Sequence, residues 1–328
     1  MAQSRRVRFR FRIAGTRWAF PFPRRHLRFG RRNPLDPTAQ QEPAQQTAAS
    51  SAPAAAPSDG ATWPLLATAG SLEVRIAQTR EEIEEAQHLR YRVFYEEMSA
   101  IPTPQMRAER RDFDRYDEFC DHLMVVDKTL CDKNGRGGVV GTYRLLRGEV
   151  AALHGGYYTS TEYDLSPMVH ANPPGTRFLE LGRSCTLKAY RSRPVTMQSL
   201  WRGIILYNDR YNIDVMFGCG SLPGNDPDAL AVQLSYLHHY HRAPEAFRLR
   251  ARPELYVEMN RLPKEAIDPK DALRKLPPLV KGYVRSGSYI GEGAVIDRQF
   301  GTTDVLIYFP VRRLDMRWRS RYSSNIQE

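Results

Sequence analysis

Cysteine is scarce in this chain: four residues in 328, at positions 120, 131, 185 and 219. They show neither the CxxC spacing of a zinc site nor the density of a disulfide scaffold, so free thiols in a reducing compartment are the simplest expectation. No apolar run approaches the roughly 18–20 residues needed to span a bilayer. A secretory signal peptide is not expected either, because arginines interrupt any hydrophobic region near the N-terminus. These absences point to a cytoplasmic protein without a resident metal.

Negative charge is absent from residues 1–32, which hold eleven Arg, no Lys and no Asp or Glu. The formal net charge of +11 therefore lies entirely in this segment, and the remaining 296 residues carry 37 basic and 37 acidic groups. That balance excludes a protein that coats nucleic acid over its whole surface, and no nucleic-acid partner is expected. In RRVRFRFRI, Arg6, Arg8, Arg10 and Arg12 alternate with Val7, Phe9, Phe11 and Ile13. Arginine mixed with aromatics suits an anionic membrane surface, at about 1 kcal/mol per basic residue near the headgroups. Peripheral attachment to the inner face of a membrane through residues 1–32 is one reading. A disordered tail, a nucleic-acid contact or an organelle transit segment are the others.

Residues 33–69 are rich in Ala, Pro, Gln and Ser and short of large apolar groups, so they read as a disordered linker. From residue 70 to about 320 the chain reads as one folded domain. Ser71–Ala77 alternates like a strand. Thr79 to Glu82 form a capping-box pattern that opens a helix running to about Met98. Asp121–Asp127 and Gly138–Leu146 read as strands joined by the turn NGRGG. A helix over Thr196–Tyr211, a strand over Ile213–Cys219 and a helix from Asp226 to about His239 follow. The order predicts an α/β (α+β) fold, a mixed central sheet flanked by helices, with a strand-rich C-terminal extension.

Between those elements lies FLELGRSC, residues 178–185. It is apolar enough for a buried strand yet carries Glu180 and Arg183. Burying either charge alone costs several kcal/mol, so both are expected to be paired or functional. In a regular strand, positions three apart face opposite sides. A bulge at Gly182 would turn both toward one cleft and free a backbone N–H for an oxyanion.

The segments LRYRVFYEEM, FDRYDEFCDHLMVVD, VVGTYRLL, FLELGRSCTLKAYRSR, LWRGIILYNDRYNIDVMFGCGSLPGNDP and LPPLVKGYVRSGSYIGEGAVIDRQFGTTDVLI together resemble the ornithine-acyl carrier protein N-acyltransferases. These share the Gcn5-related acetyltransferase-like fold, and the acyl-homoserine lactone synthases are more distantly similar. The match is collinear over about residues 70–315 and leaves out the N-terminal zone and the linker. It implies transfer of a 3-hydroxyacyl chain from acyl carrier protein to the α-amine of ornithine, giving lyso-ornithine lipid.

Such a transfer needs a base for the α-ammonium, and Glu180 is the candidate. Alternatively it only pairs with Arg183 or Arg144. The lactone-synthase pattern further implies Arg90, Phe94, Asp114, Asp117 and Arg144 as substrate-binding residues. Arginine would grip the carboxylate, and Asp114 or Asp117 would meet the side-chain ammonium. Capping or local ion pairs are the alternative for the two aspartates. The synthases carry a Trp between the Phe and the first Asp, and residues 95–113 contain none.

Acetyltransferases that use coenzyme A cradle its pyrophosphate on a Gly-rich loop after the central strand. Here TLKAYRSRPVT contains no glycine. That favours phosphopantetheine on acyl carrier protein, with Lys188, Arg191 and Arg193 supplying charge for its phosphate and for the acidic carrier surface. The competing expectations are an acyl-homoserine lactone synthase, and a membrane- or nucleic-acid-binding protein on an acyltransferase scaffold.

Overall fold

The structure, a computed structural model, describes residues 64–314. The Arg-rich segment 1–32, most of the expected linker and the residues after 314 lie outside these. Ten strands are present among the described residues: β1 (Leu65–Ala69), β2 (Leu72–Ile76), β3 (Asp121–Asp127), β4 (Val139–Arg147), β5 (Tyr163–Asp164), β6 (Phe178–Thr186), β7 (Val215–Pro223), β8 (Arg250–Ala251), β9 (Tyr289–Asp297) and β10 (Thr302–Pro310). They stand in the order β1-β2-β3-β4-β6-β7-β10-β9-β8-β5. Pairing is antiparallel except at β6–β7 and β8–β9. The sheet is mixed and flanked by helices, as the element order predicts.

Three expectations need correction. The expected linker reaches residue 69, but Leu65–Ala69 pair with β2 and bury Ala67. Two leucines and two alanines there supply enough apolar surface to join the sheet edge. The helix opened by Thr79, whose hydroxyl accepts from Glu82 N, is regular only over Arg80–Tyr91. It then widens into a π-helical turn, Arg92–Glu97. That turn lets Val93 and Tyr95 bury on different sides, against Leu89 and Cys185 in one cluster and against Tyr91 and Met106 in another. π-turns of this kind gather at functional sites. The helix expected from Asp226 begins at Ala231, and the Asp226 carboxylate instead accepts from Asp228 N in the preceding turn.

The helix Pro194–Tyr211 presents Leu200, Ile204 and Tyr207 inward, each fully buried against the apolar side of β1 to β4. Burial of side chains this size contributes about 1.5–3 kcal/mol each. The joint that matters for function is β6–β7. These strands pair only at Phe178–Val215, Leu179–Met216 and Glu180–Phe217, and then part. Gly218 sits where they separate, at φ +153°, and a Cβ there would lie 2.2 Å from the Leu181 carbonyl oxygen.

Candidate active site

A cavity of about 360 Å³ occupies the gap between the parted strands. Glu180, Arg183 and Cys185 line it from β6 and Cys219 and Ser221 from β7. Phe94 enters from the π-turn, and Asp297, Phe300 and Asp304 from the β9–β10 hairpin. Val93, Met197 and Leu279 add apolar surface to its walls.

The expected bulge in FLELGRSC exists one position further on. Against β4, Thr142 pairs with Cys185 and Arg144 with Gly182, so Arg183 and Ser184 oppose Tyr143 alone. The left-handed residue is Arg183 itself, at φ +50°, not Gly182. A non-glycine residue in this region costs roughly 1–2 kcal/mol, and here the ion pairs of the side chain offset it. Arg183 Nη2 lies 3.0 Å from Asp114 Oδ2, and its Nε lies 3.3 Å from Asp112 Oδ2. The guanidinium also stacks 5.1 Å from the Tyr158 ring and 5.0 Å from Phe300.

Arg183 belongs to a network of three arginines and three aspartates. Arg90, fully buried, donates to Asp112 at 2.7 Å and to Asp117 at 2.9 Å. Arg144 donates to Asp114 at 2.6 Å. Asp114 and Asp117 also cap the 3₁₀ turn Arg115–Glu118 reciprocally. Both expected roles of capping and ion pairing therefore occur together, but the cations are Arg90, Arg144 and Arg183 rather than local arginines. With their oxygens engaged in this way, Asp114 and Asp117 are poorly placed to meet a substrate ammonium. Asp112, fully buried, escaped the sequence reading although it also accepts from Tyr95 Oη at 2.9 Å. Burial opposes its charge, but Arg183 and Arg90 outweigh it and hold the carboxyl below its ordinary range. Burial likewise opposes the Arg183 cation, and Asp112, Tyr158 and Asp114 more than compensate.

Glu180 lines the same cavity but pairs with neither Arg183 nor Arg144. Its Oε1 accepts from Thr159 N at 2.6 Å and its Oε2 from Tyr158 N at 3.1 Å. Burial pushes its pKa up, against the pull of the Thr159 hydroxyl and those two N–H donors. Phe94 reaches the cavity, whereas Arg90 is behind it. In the glycine-free segment, Arg191 reaches the rim, donating to Thr186 O and pairing with Glu97. Lys188 and Arg193 are exposed, and Arg193 stacks on Tyr190 at 4.3 Å.

A second acidic group was not anticipated. Glu162, Asp297 and Asp304 place one oxygen each within 4.8 Å of the others. Burial, reinforced by Asp304, raises Glu162 to about 7, and burial raises Asp304 to about 6. The signal was available in TTDVLI, where Asp304 interrupts an apolar strand as Glu180 does. Cys219 donates its thiol to Glu162 Oε2 at 3.0 Å, and burial holds that thiol protonated. Cys185 is buried and likewise raised, which suits packing rather than a nucleophile.

The helix-flanked mixed sheet, parting at its parallel joint to open this cavity, is the architecture of an acyltransferase of the GNAT-like class. The acetyltransferase (GNAT) domain family matches residues 89–202. An L-ornithine N(alpha)-acyltransferase of Rhizobium meliloti (strain 1021) is 45% identical over 80% of this chain and 87% of its own length. Another, from Brucella abortus (strain 2308), is 48% identical over 79% of this chain and 92% of its own. Among solved structures, the AHL synthase LasI aligns with 72% of this chain and 89% of its own at 11% identity, with a TM-score of 0.39. The chain belongs to the L-ornithine N(alpha)-acyltransferase family.

Proposed function

We propose that this chain transfers a 3-hydroxyacyl group from the phosphopantetheine thioester of acyl carrier protein to the α-amine of ornithine. The amide C–N bond forms as the thioester C–S bond breaks, the carrier leaves as its thiol, and the product is lyso-ornithine lipid. The observation that carries this reading is the cavity at the parting of β6 and β7, in a chain 45% identical to a named ornithine acyltransferase. Its apolar lining suits the acyl chain, and its charged lining suits a zwitterion.

Within that reading, Glu180 accepts the proton of the attacking amine, directly or through one water. Arg183 and Arg144 orient the acceptor carboxylate from one face of their aspartate network, and Phe94 borders the acyl site. Lys188, Arg191 and Arg193 meet the phosphate and the acidic surface of the carrier. Phosphopantetheine has a single phosphodiester, and a glycine-free segment with three cations suits it better than a pyrophosphate. Residues 1–32 would add attachment to an anionic membrane, where the lipid product partitions.

The test is incubation with 3-hydroxyacyl carrier protein and labelled ornithine, lysine or S-adenosylmethionine. A lipid-soluble ornithine amide is the expected product, and its absence would sink the reading. Glu180→Gln is expected to lower kcat by about 10²–10⁴-fold. It also turns an amide N–H toward the N–H of Tyr158 or Thr159, so the pH profile is the discriminating readout. A base role predicts that the acidic limb of kcat/KM disappears with the carboxylate; an anchoring role alone leaves that limb in place.

A further inference from the structure

The cavity carries uneven charge. On the β4–β6 side, Arg90, Arg144 and Arg183 are matched by Asp112, Asp114 and Asp117. At the rim, Arg191 is matched by Glu97. On the opposite side, Asp297 and Asp304 line the wall and Glu162 adjoins them, with one oxygen of each within 4.8 Å of the others. Among the described residues none of these three carboxylates has a cation within ion-pair distance.

Their remaining partners are uncharged. Glu162 and Asp304 are each more than nine-tenths buried. Glu162 Oε2 accepts only the Cys219 thiol, and Glu162 Oε1 has no donor among the described residues. Asp304 Oδ1 accepts from the Thr302 hydroxyl at 2.9 Å, and Ser221 also donates to Asp304. Asp297 Oδ1 accepts from the backbone N–H groups of Gln299 and Phe300. Glu162 and Asp304, buried close to each other and to the half-buried Asp297, are costly to ionise without a cation. The charge of Arg183 acts on Glu162 and Asp304, but Arg183 is already paired with Asp112 and Asp114.

We propose that Glu162, Asp297 and Asp304 bind the side-chain ammonium of the acceptor amino acid, and that this contact selects a diamino acid over a neutral one. The proposal rests on the ornithine reading and deepens it. An ammonium brings three N–H donors, one for each carboxylate. Holding the far amine on the β9–β10 side prevents it from competing with the α-amine for the acyl carbonyl. The same contact places ornithine across the cavity, with its carboxylate toward the arginines. A neutral side chain would leave the buried acids unpaired, which is the condition that makes polar sites discriminate strongly.

The experiment compares ornithine with norvaline, which has the same carbon skeleton without the terminal amine, using the full chain and the variants Asp304→Asn and Glu162→Gln. Wild type is expected to favour ornithine in kcat/KM by about 100-fold or more. Each variant is expected to reduce that ratio at least tenfold, chiefly through KM for ornithine. An unchanged ratio in both variants, with native circular dichroism, would overturn the proposal. If wild type acylates neither compound, the ornithine reading fails, and calorimetric titration of both ligands decides the present one. Tighter binding of ornithine that Asp304→Asn abolishes supports it, and equal affinities overturn it. Activity or binding that is lost to a chelator and restored by magnesium or calcium would assign the carboxylates to a metal and likewise overturn it.

Discussion

Arg183 holds a left-handed backbone while its guanidinium reaches Asp114, 69 residues earlier in the chain, at 3.0 Å. The bulge turns the side chain and the aspartates keep it turned. Arg183→Gly should relieve the backbone cost and retain about 1 kcal/mol more stability than Arg183→Ala. Both should lose most of the transfer activity. Denaturant melts beside acyl-transfer rates check this, and equal stabilities would argue against strain at this position.

Asp112→Ala should be the most damaging change in the network. It leaves Arg90 and Arg183 partly uncompensated beneath the cavity, at a cost of about 3–5 kcal/mol. Asp114→Ala, at a less buried position, should cost less. Equilibrium unfolding of the two variants gives the order directly.

Gly218 and Gly182 should respond very differently to alanine. At Gly218 a Cβ would meet the Leu181 carbonyl at 2.2 Å, so Gly218→Ala must force β6 and β7 apart at the neck of the cavity. At Gly182 the nearest contact is Arg144 Nε at 3.9 Å, an ordinary separation. Gly182→Ala is expected within about 1 kcal/mol of wild type and Gly218→Ala several kcal/mol below it. Thermal melts distinguish them.

Glu162 and Asp304 should make the unliganded protein less stable as pH rises. Both are raised in the folded state, to about 7 and about 6, so the folded chain holds protons that the unfolded chain has released. Their stabilising contribution is complete below about pH 3, where both are protonated in either state, and is lost as pH climbs through 6 to 7. The slope should be on the order of 1 kcal/mol per pH unit and should flatten in the Asp304→Asn, Glu162→Gln double variant. Urea titrations between pH 5 and 8 measure it.

Reversing charge at Lys188 and Arg193 should raise KM for acyl carrier protein about tenfold at low salt, with the difference shrinking as salt is added. An acyl-pantetheine donor without the protein should be affected far less. Equal effects on both donors would move these residues from the carrier surface to the reaction centre.

Much of the fold was legible from periodicity and turn chemistry. Thr79 and Glu82 announced a helix, and the apolar alternation of DHLMVVD and GVVGTYRLL announced strands, because those signals are local. The π-turn at Arg92 was not legible: it depends on two packing surfaces, one supplied by Met106 in the next helix and the other by Cys185, far along the chain. The same holds for Asp112, whose partners lie 22 and 71 residues away. Asp114 and Asp117 could be singled out by spacing, but only the folded chain fills their oxygens with arginines.

By itself the sequence determined that FLELGRSC is a buried strand with two charges that require partners, since no apolar strand can carry them alone. It also determined that the segment after it lacks the glycines of a pyrophosphate cradle. Tertiary structure decided who the partners are. Arg183 joins a neutralised network, Glu180 takes two backbone N–H groups, and Glu162, Asp297 and Asp304 gather with no cation paired to them among the described residues. Glu162 comes from a loop more than a hundred residues before the hairpin that carries Asp297 and Asp304, and burial by long-range packing, not local spacing, raises Glu162 and Asp304.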